Sequence, residues 1–124
     1  MVQLAKRHDG ETLTRLDEIA QREAVSSNFL VQILNDLKRN GLVDSRRGKA
    51  GGYLLGRPPI QITLLDIVDA VEPGMLAGAT GSEGESSNVV RNAWAAVMNR
   101  TREELGKINL RTLAERSAGP MYYI

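Results

Sequence analysis

The chain contains no cysteine and a single histidine, His8, among its 124 residues. Without cysteine it has no disulfide framework and no thiolate ligands for zinc or an iron–sulfur cluster, and one histidine cannot form a metal site alone. Aromatic residues make up only 4%, so the core must be aliphatic. The sequence also lacks an apolar run long enough to span a bilayer, and its start lacks a secretory signal. We therefore expect a cytoplasmic protein without metal, cofactor or membrane attachment.

Net charge is also low, but it is unevenly distributed. The formal net charge is +1, so total charge does not indicate a nucleic-acid partner. Residues 38–57 nevertheless carry a single acid, Asp44, and six basic residues: Lys38, Arg39, Arg46, Arg47, Lys49 and Arg57. The distribution of charge, rather than its sum, therefore points to a basic surface in this segment.

Two consecutive helices are predicted just before the basic segment. We expect the first over residues 14–22 with Thr14 as its N-cap, and the second within SSNFLVQILNDLKRNG, between the N-cap Ser26 and the left-handed Gly41. Apolar residues at helical spacing give the second helix one face to bury, namely Phe29, Leu30, Ile33, Leu34 and Leu37. The pair is typical of a helix-turn-helix.

A β-hairpin is predicted directly after these helices. LVDSRR and YLLGR are strand-like, GKAGG between them has turn chemistry, and Pro58 and Pro59 end the hairpin. In the helix that follows, ITLLDIVDAV, Thr63 is the predicted N-cap, and we interpret Asp66 and Asp69 as solvated surface. A helix-turn-helix followed by a hairpin with a basic tip predicts a winged helix, mainly α with a small β-hairpin wing.

The second half of the chain predicts a helix for self-association. We divide the chain into a winged helix-turn-helix domain at 1–72, a flexible Gly- and Ser-rich loop at 73–87, and a dimerisation helix with a tail at 88–124. Asn109 is the predicted N-cap of a last short helix. Because a small domain leaves little core for another apolar stripe, we expect a second copy of the chain to cover the one on the long helix. That stripe consists of Val90, Trp94, Val97, Thr101 and Leu105.

Five segments together resemble the winged-helix regulators typified by IscR, NsrR and CymR: DEIAQ, SSNFLVQIL, NDLKRNGLVDSRRG, GGYLLGRPP and ITLLDIVDAVE. The resemblance implies a dimeric bacterial transcription regulator, usually a repressor. Its recognition helix would enter a major groove and its wing would lie over the adjoining minor groove. Two-fold symmetry would set the two recognition helices about 34 Å apart on a palindromic site.

The sequence departs from this family pattern in four places. Several members hold an iron–sulfur cluster through three cysteines, whose positions fall here near Leu76, Ser82 and Asn88, and none of these supplies a thiolate. We therefore do not carry the cluster over, although a natural cysteine replaced by serine in this loop is an alternative. Val31 stands where an acid is common, so base preference is expected to differ. The wing reads GKAGGY rather than GPGGGY, and the chain starts about half a helix late, as a misassigned or trimmed start would produce.

The expected DNA contacts form two groups. On the recognition helix, Ser26 and Ser27 lie at the positive helix end and suit a phosphate, while Asn28 and Gln32 can pair with adenine. Each of these four can equally be a cap or a solvated polar residue. Val31 either packs on a thymine methyl or is a lone exposed aliphatic residue. On the wing, Arg46 and Arg47 are either a solvated strand end or DNA contacts, in which case one enters the minor groove and the other meets a phosphate or an acid. Lys49 would contact a phosphate, and Arg57 would reach a phosphate or face solvent. The wing group comprises Arg46, Arg47, Lys49 and Arg57.

Two other classes of function are weighed against this one. An enzyme is disfavoured because the sequence has one histidine, no cysteine and no phosphate-cradling glycine loop before a helix. A protein-interaction module that keeps the winged fold without binding DNA is the alternative, and the intact basic wing argues against it. The expected partners are double-stranded DNA and a second copy of the chain, with an undetermined small-molecule or protein effector.

Overall fold

The computed structural model describes residues 1–77 and 83–118. Within these ranges the elements are α1 (Val2–Lys6), α2 (Leu16–Arg22), α3 (Ser27–Arg39), β1 (Val43–Arg46), β2 (Gly52–Leu55), α4 (Leu64–Val71), α5 (Ser87–Gly106) and α6 (Leu110–Ala118), and a 3-10 turn over Pro59–Gln61 precedes α4. The two strands pair antiparallel, with Val43 opposite Leu55 and Arg46 opposite Gly52. Within these ranges none of the helices has the length and the apolar character to span a bilayer. The predicted helix-turn-helix and hairpin are thus confirmed.

Local side-chain chemistry fixes both ends of α3, as predicted. The Ser26 Oγ accepts a hydrogen bond from the Phe29 N–H at 3.2 Å. At the other end Gly41 has a φ of +74°, and its N–H donates to the Lys38 carbonyl at 3.1 Å. The Leu42 N–H donates to the Leu37 carbonyl at 3.0 Å. These two bonds form a Schellman motif, which satisfies helix carbonyls that would otherwise lack a partner.

The predicted caps of α4 and α6 are also confirmed. Thr63 and Asp66 form a reciprocal capping box, in which the Asp66 N–H donates to the Thr63 Oγ1 at 3.1 Å and the Thr63 N–H donates to the Asp66 Oδ2 at 3.0 Å. The Asn109 Oδ1 accepts a hydrogen bond from the Thr112 N–H at 2.9 Å. Each helix start is therefore specified by residues three positions apart.

The predicted role of Thr14 as an N-cap is wrong. Arg15 occupies the N-cap position of α2 without a side-chain capping bond, and Thr14 instead pairs with Tyr53 on β2. Each of these two backbones donates its N–H to the other's carbonyl at 2.8 Å. The pairing holds Thr14 in an extended conformation and turns its side chain inward, where it is only 2% exposed. Its Oγ1 has no hydrogen-bond partner within the described part of the chain.

Phe29 is also not where the helical pattern predicts it. Leu30, Leu34 and Leu37 on α3 are at most 9% exposed, whereas Phe29 is 55% exposed. At 100° per residue Phe29 lies at the edge of the apolar face, and the helices that pack on α3 cover the centre of that face. The buried cluster that α3 joins comprises Leu4, Ile19, Ala20, Leu30, Leu34, Leu37, Leu42, Val43, Leu55, Ile62, Ala70 and Leu110.

The remaining helices attach to this core by different means. α6 returns to pack against α1, where Leu110 is 1% exposed, and the Leu110 N–H donates to the Ile62 carbonyl at 2.8 Å. α5 contains no buried residue. Asp69 on α4 accepts two hydrogen bonds from Arg102 on α5, at 3.0 and 3.1 Å. Asp69 is thus an interhelical ion-pair partner and Asp66 a cap, so our interpretation of this pair as solvated surface is wrong.

Candidate nucleic-acid interface

The tip of the hairpin is a turn whose backbone requires glycine. Gly48 has a φ of +103°, and the Gly51 N–H donates to its carbonyl at 3.0 Å. A Cβ added at Gly51 would lie 2.3 Å from the Arg46 carbonyl oxygen. The sequence GKAGG therefore folds back tightly, and Lys49 within it and Arg46 and Arg47 just before it remain at the surface.

The wing carries three exposed cations at this turn. Arg46, Arg47 and Lys49 are all exposed, and Arg46 donates from its Nη1 to the Ser45 carbonyl at 3.1 Å. Arg46 is the last residue of β1, and Arg47 already belongs to the turn. Arg57, which follows β2, is partly buried. The hairpin thus presents positive charge at its tip with no ion pair to neutralise these three cations within the described residues.

The exposed face of α3 carries the polar residues that the sequence singled out. Ser26, Ser27, Asn28 and Gln32 are all exposed. Asn28 and Gln32 are four residues apart and therefore lie on the same side of the helix, where both amides reach solvent. Val31 is partly buried, so it is not a lone exposed aliphatic residue. These side chains have the donors and acceptors that base edges and phosphates match.

A polar groove of about 570 Å³ lies between α2 and the wing, and it includes residues that the sequence analysis missed. Arg15 donates from its Nη1 to the Lys49 carbonyl at 2.9 Å, and Lys38 donates from its Nζ to the Ser45 Oγ at 2.6 Å. Lys38 was recognised only as part of the basic segment, and Arg15 lies beside Asp17 in a stretch that resembles an ordinary helix start. The groove lining includes Arg15, Asp17, Lys38, Ser45, Arg46 and Arg47.

The predicted self-association stripe is largely exposed in the single chain. Val90, Trp94 and Val97 are 61%, 48% and 54% exposed, and Val89 beside them is 73% exposed. Thr101 and Leu105 are partly buried, and the Thr101 Oγ1 donates to the Val97 carbonyl at 3.0 Å. A cluster of apolar side chains this exposed on one helix is a feature of interaction surfaces. That a second copy covers it stays a prediction.

The residues at the family's cysteine positions do not fit a thiolate-held cluster. Leu76 is an apolar side chain, 8% exposed, and Asn88 is an exposed amide in the first turn of α5. Ser82 lies outside the described residues. Among the residues searched, no three histidine, cysteine, aspartate or glutamate side chains are grouped to hold a metal ion.

Comparison with known proteins decides the family. A family described as "Rrf2: Iron-dependent Transcriptional regulator" matches residues 1–116. The chain belongs to the Rrf2 family. Among Rrf2 relatives, the transcriptional regulator CymR of Bacillus subtilis is 37% identical over all of this chain and 91% of its own length. IscR of Xenorhabdus nematophila is 33% identical over 87% of this chain and 68% of its own.

Solved Rrf2 structures agree with the fold. The structure described as that of CymR, the global cysteine regulator of B. subtilis, superposes with a TM-score of 0.75 at 35% identity, covering 92% of this chain and 86% of that one. IscR of T. potens gives a TM-score of 0.70 at 33% identity, covering 92% and 77%. These findings confirm the resemblance and the winged-helix fold. The chain is a transcriptional regulator.

Proposed function

We propose that this regulator binds double-stranded DNA as a homodimer and represses transcription. The observation that carries the proposal is the pairing of two exposed surfaces on one folded unit. The amides Asn28 and Gln32 line the outer face of α3, and the cations Arg46, Arg47 and Lys49 occupy the tip of the adjoining wing. Amides read base edges, and a compact cluster of unpaired cations meets phosphate or a narrow minor groove.

Each group has a distinct part in this proposal. α3 enters the major groove, where Asn28 and Gln32 bond to base edges and Val31 packs on a thymine methyl. The N–H groups around Ser26 and Ser27, at the positive end of the helix, hold a phosphate. One of the wing arginines enters the minor groove. The remaining wing cations, including Lys49 and Arg57, contact phosphates and contribute affinity without sequence preference.

A dimer follows from the exposed stripe on α5. In the proposed homodimer, Val90, Trp94 and Val97 pack against the same residues of a second copy, because two-fold symmetry buries one patch on both subunits. Thr101 and Leu105 continue that seam. Two recognition helices then read half-sites about 34 Å apart, which makes the operator palindromic.

The proposal assigns no cluster and no chemistry to the protein. The missing thiolates argue against an iron–sulfur signal, which leaves a small molecule, a partner protein or no signal at all. A regulator of bacterial transcription acts in the cytoplasm, where its DNA lies. We assign no catalytic role, since the described polar groups form caps, ion pairs and an exposed basic surface rather than a catalytic constellation.

Fluorescence anisotropy with a labelled duplex from upstream of its own gene tests this function. At two salt concentrations the wild-type protein should bind more weakly at higher salt, because each neutralised phosphate releases counterions. The Arg46→Ala, Arg47→Ala double variant should lose affinity, and its slope of log K against log salt should shrink by about 3.6, at about 0.9 for each of the four contacts that a dimer loses.

A second double variant controls for net charge. Arg111→Ala, Arg116→Ala removes the same charge from α6, where both arginines are exposed, and it should bind like the wild type. Equal losses in the two double variants would mean that total charge, not the wing, drives binding. Wild-type protein that binds no duplex at either salt concentration would leave the protein-interaction module as the better account.

A further inference from the structure

The wing is joined to the rest of the domain along its strands and, separately, at its turn. Near the turn end of β2, Thr14 pairs with Tyr53 through two backbone hydrogen bonds of 2.8 Å. A Cβ added at Gly52 would lie 2.7 Å from the Thr14 carbonyl oxygen, so the two chain segments are in close contact there. Lys38 at the end of α3 bonds the Ser45 side chain on β1. These contacts fix the strands relative to α2 and α3.

The tip is held by one side chain from outside the hairpin. Arg15 at the start of α2 donates from Nη1 to the Lys49 carbonyl at 2.9 Å, across 34 residues of sequence. In the described residues no other side chain from outside the hairpin bonds to residues 47–51. The Arg15 Nε lies 3.5 Å from the Asp17 Oδ1, so the guanidinium is held from one edge while another nitrogen reaches the wing. Lysine carries its three donors on one nitrogen instead of on a rigid planar fork, so Arg15→Lys is not a conservative change at these two contacts.

We propose that Arg15 is a positioning residue that holds the wing tip in its DNA-binding conformation. Lys49 presents its carbonyl to Arg15, while its own side chain is exposed. Arg46 and Arg47 enter the same turn from β1. Holding the Lys49 carbonyl thus restricts the turn backbone from which all three wing cations project. This inference rests on the proposed function, since its consequence for affinity exists only if the wing meets DNA.

The Arg15 side chain is 61% exposed, so its bond contributes little to global stability. Its effect is instead on the fraction of molecules whose wing is ordered before DNA arrives. Apparent affinity falls in proportion to that fraction, and a drop to about one fifth weakens binding about 5-fold. A positioning role predicts that loss of Arg15 makes the wing turn more mobile and leaves the melting temperature unchanged. A general structural role predicts that the melting temperature falls as well.

The first experiment uses the free 124-residue chain and needs no DNA. ¹⁵N relaxation of the backbone amides at residues 47–51 is compared among wild type, Arg15→Gln, Arg15→Lys and the control Arg111→Gln. Arg111 is matched because its side chain is 62% exposed and ion-paired with Glu115 on α6. We expect the turn to move faster than in the wild type in both Arg15 variants. In the control Arg111→Gln its motion should be the same as in the wild type. A turn equally ordered in all four proteins overturns the proposal.

The second experiment measures duplex affinity in two backgrounds. In the wild-type wing, Arg15→Gln and Arg15→Lys should each weaken binding about 5-fold, with an unchanged melting temperature. In a wing without cations, Arg46→Ala, Arg47→Ala, Lys49→Ala, the same changes should have no further effect. Loss that persists in that background means that Arg15 meets DNA itself, and full affinity of Arg15→Lys means that charge alone suffices. Either result overturns the proposal.

The two experiments separate the failure of this inference from failure of the proposed function. If the wild-type protein binds no duplex, DNA binding is refuted. The relaxation data then still test whether Arg15 orders the wing turn. If the wild type binds the duplex and the Arg15 variants bind it with the same affinity, only the positioning role is refuted.

Discussion

At the scale of single residues, the neighbours Phe29 and Leu30 have opposite surroundings on the same helix. Phe29 is 55% exposed and Leu30 is 9% exposed. Leu30→Ala should lower the free energy of unfolding by about 2–4 kcal/mol, because it removes buried methyl groups and leaves a cavity. Phe29→Ala should change it by about 0.5 kcal/mol or less, as for other surface substitutions.

Urea denaturation followed by far-UV circular dichroism measures both values, with the m-value checked for a constant change in exposed surface. A cost for Phe29→Ala as large as that for Leu30→Ala would mean that Phe29 belongs to the core after all. Repeating the unfolding measurement with operator duplex bound would also show whether Phe29 contacts DNA, because the loss for Phe29→Ala would then be larger than in the free protein.

At the scale of elements, the ion pair between Asp69 and Arg102 joins α5 to the winged domain. Its two hydrogen bonds are 3.0 and 3.1 Å long, and the side chains are 40% and 39% exposed. A double-mutant cycle with Asp69→Asn and Arg102→Gln should give a coupling of about 0.5–1 kcal/mol, the upper part of the range for solvent-screened pairs. We expect a coupling energy in this upper part because the two side chains form two parallel hydrogen bonds.

Glu104 and Lys107 provide the matched control within α5. Their single contact is 3.0 Å long, and both side chains are more exposed, at 73% and 68%. This pair should couple by about 0.2–0.5 kcal/mol, as exposed intrahelical pairs do. Equal coupling energies for the two pairs would refute the view that the Asp69–Arg102 pair helps to orient α5.

At the scale of the whole molecule, the exposed stripe on α5 predicts self-association. Sedimentation velocity should find the wild-type chain dimeric at micromolar concentration, and Trp94→Glu should make it monomeric because it buries an unpaired charge in the seam. Trp94→Glu should also weaken operator binding, because a monomer cannot bind both half-sites together.

Asn99→Glu controls for the added charge, because Asn99 is exposed on the side of α5 away from Trp94. It should leave the dimer intact. A wild-type chain that sediments as a monomer throughout the concentration range, or dissociation by Asn99→Glu as well, would refute the proposed seam.

The sequence by itself determined the features that depend on neighbours a few residues apart. Ser26, Thr63 and Asn109 cap helices by bonding to N–H groups three residues ahead. Gly41 ends α3 because its φ of +74° suits a residue without a Cβ. The wing was predictable for the same reason, since strand-forming residues flank a turn rich in glycine. Local periodicity and capping therefore predicted the order of the elements, and the quoted motifs predicted the family.

Only the tertiary structure decided the contacts between distant segments. Thr14 pairs with the wing instead of capping α2, and Arg15 reaches Lys49 across 34 residues. Arg102 forms an ion pair with Asp69, which lies 33 residues earlier in the chain. The helices packed on α3 leave Phe29 outside the core. The free energy of each arrangement comes from surfaces that meet only after the chain has folded, so no local pattern records it. The candidate interface divides in the same way: the exposed amides and the wing cations were predictable from the sequence, whereas the contact between Arg15 and the wing turn was not.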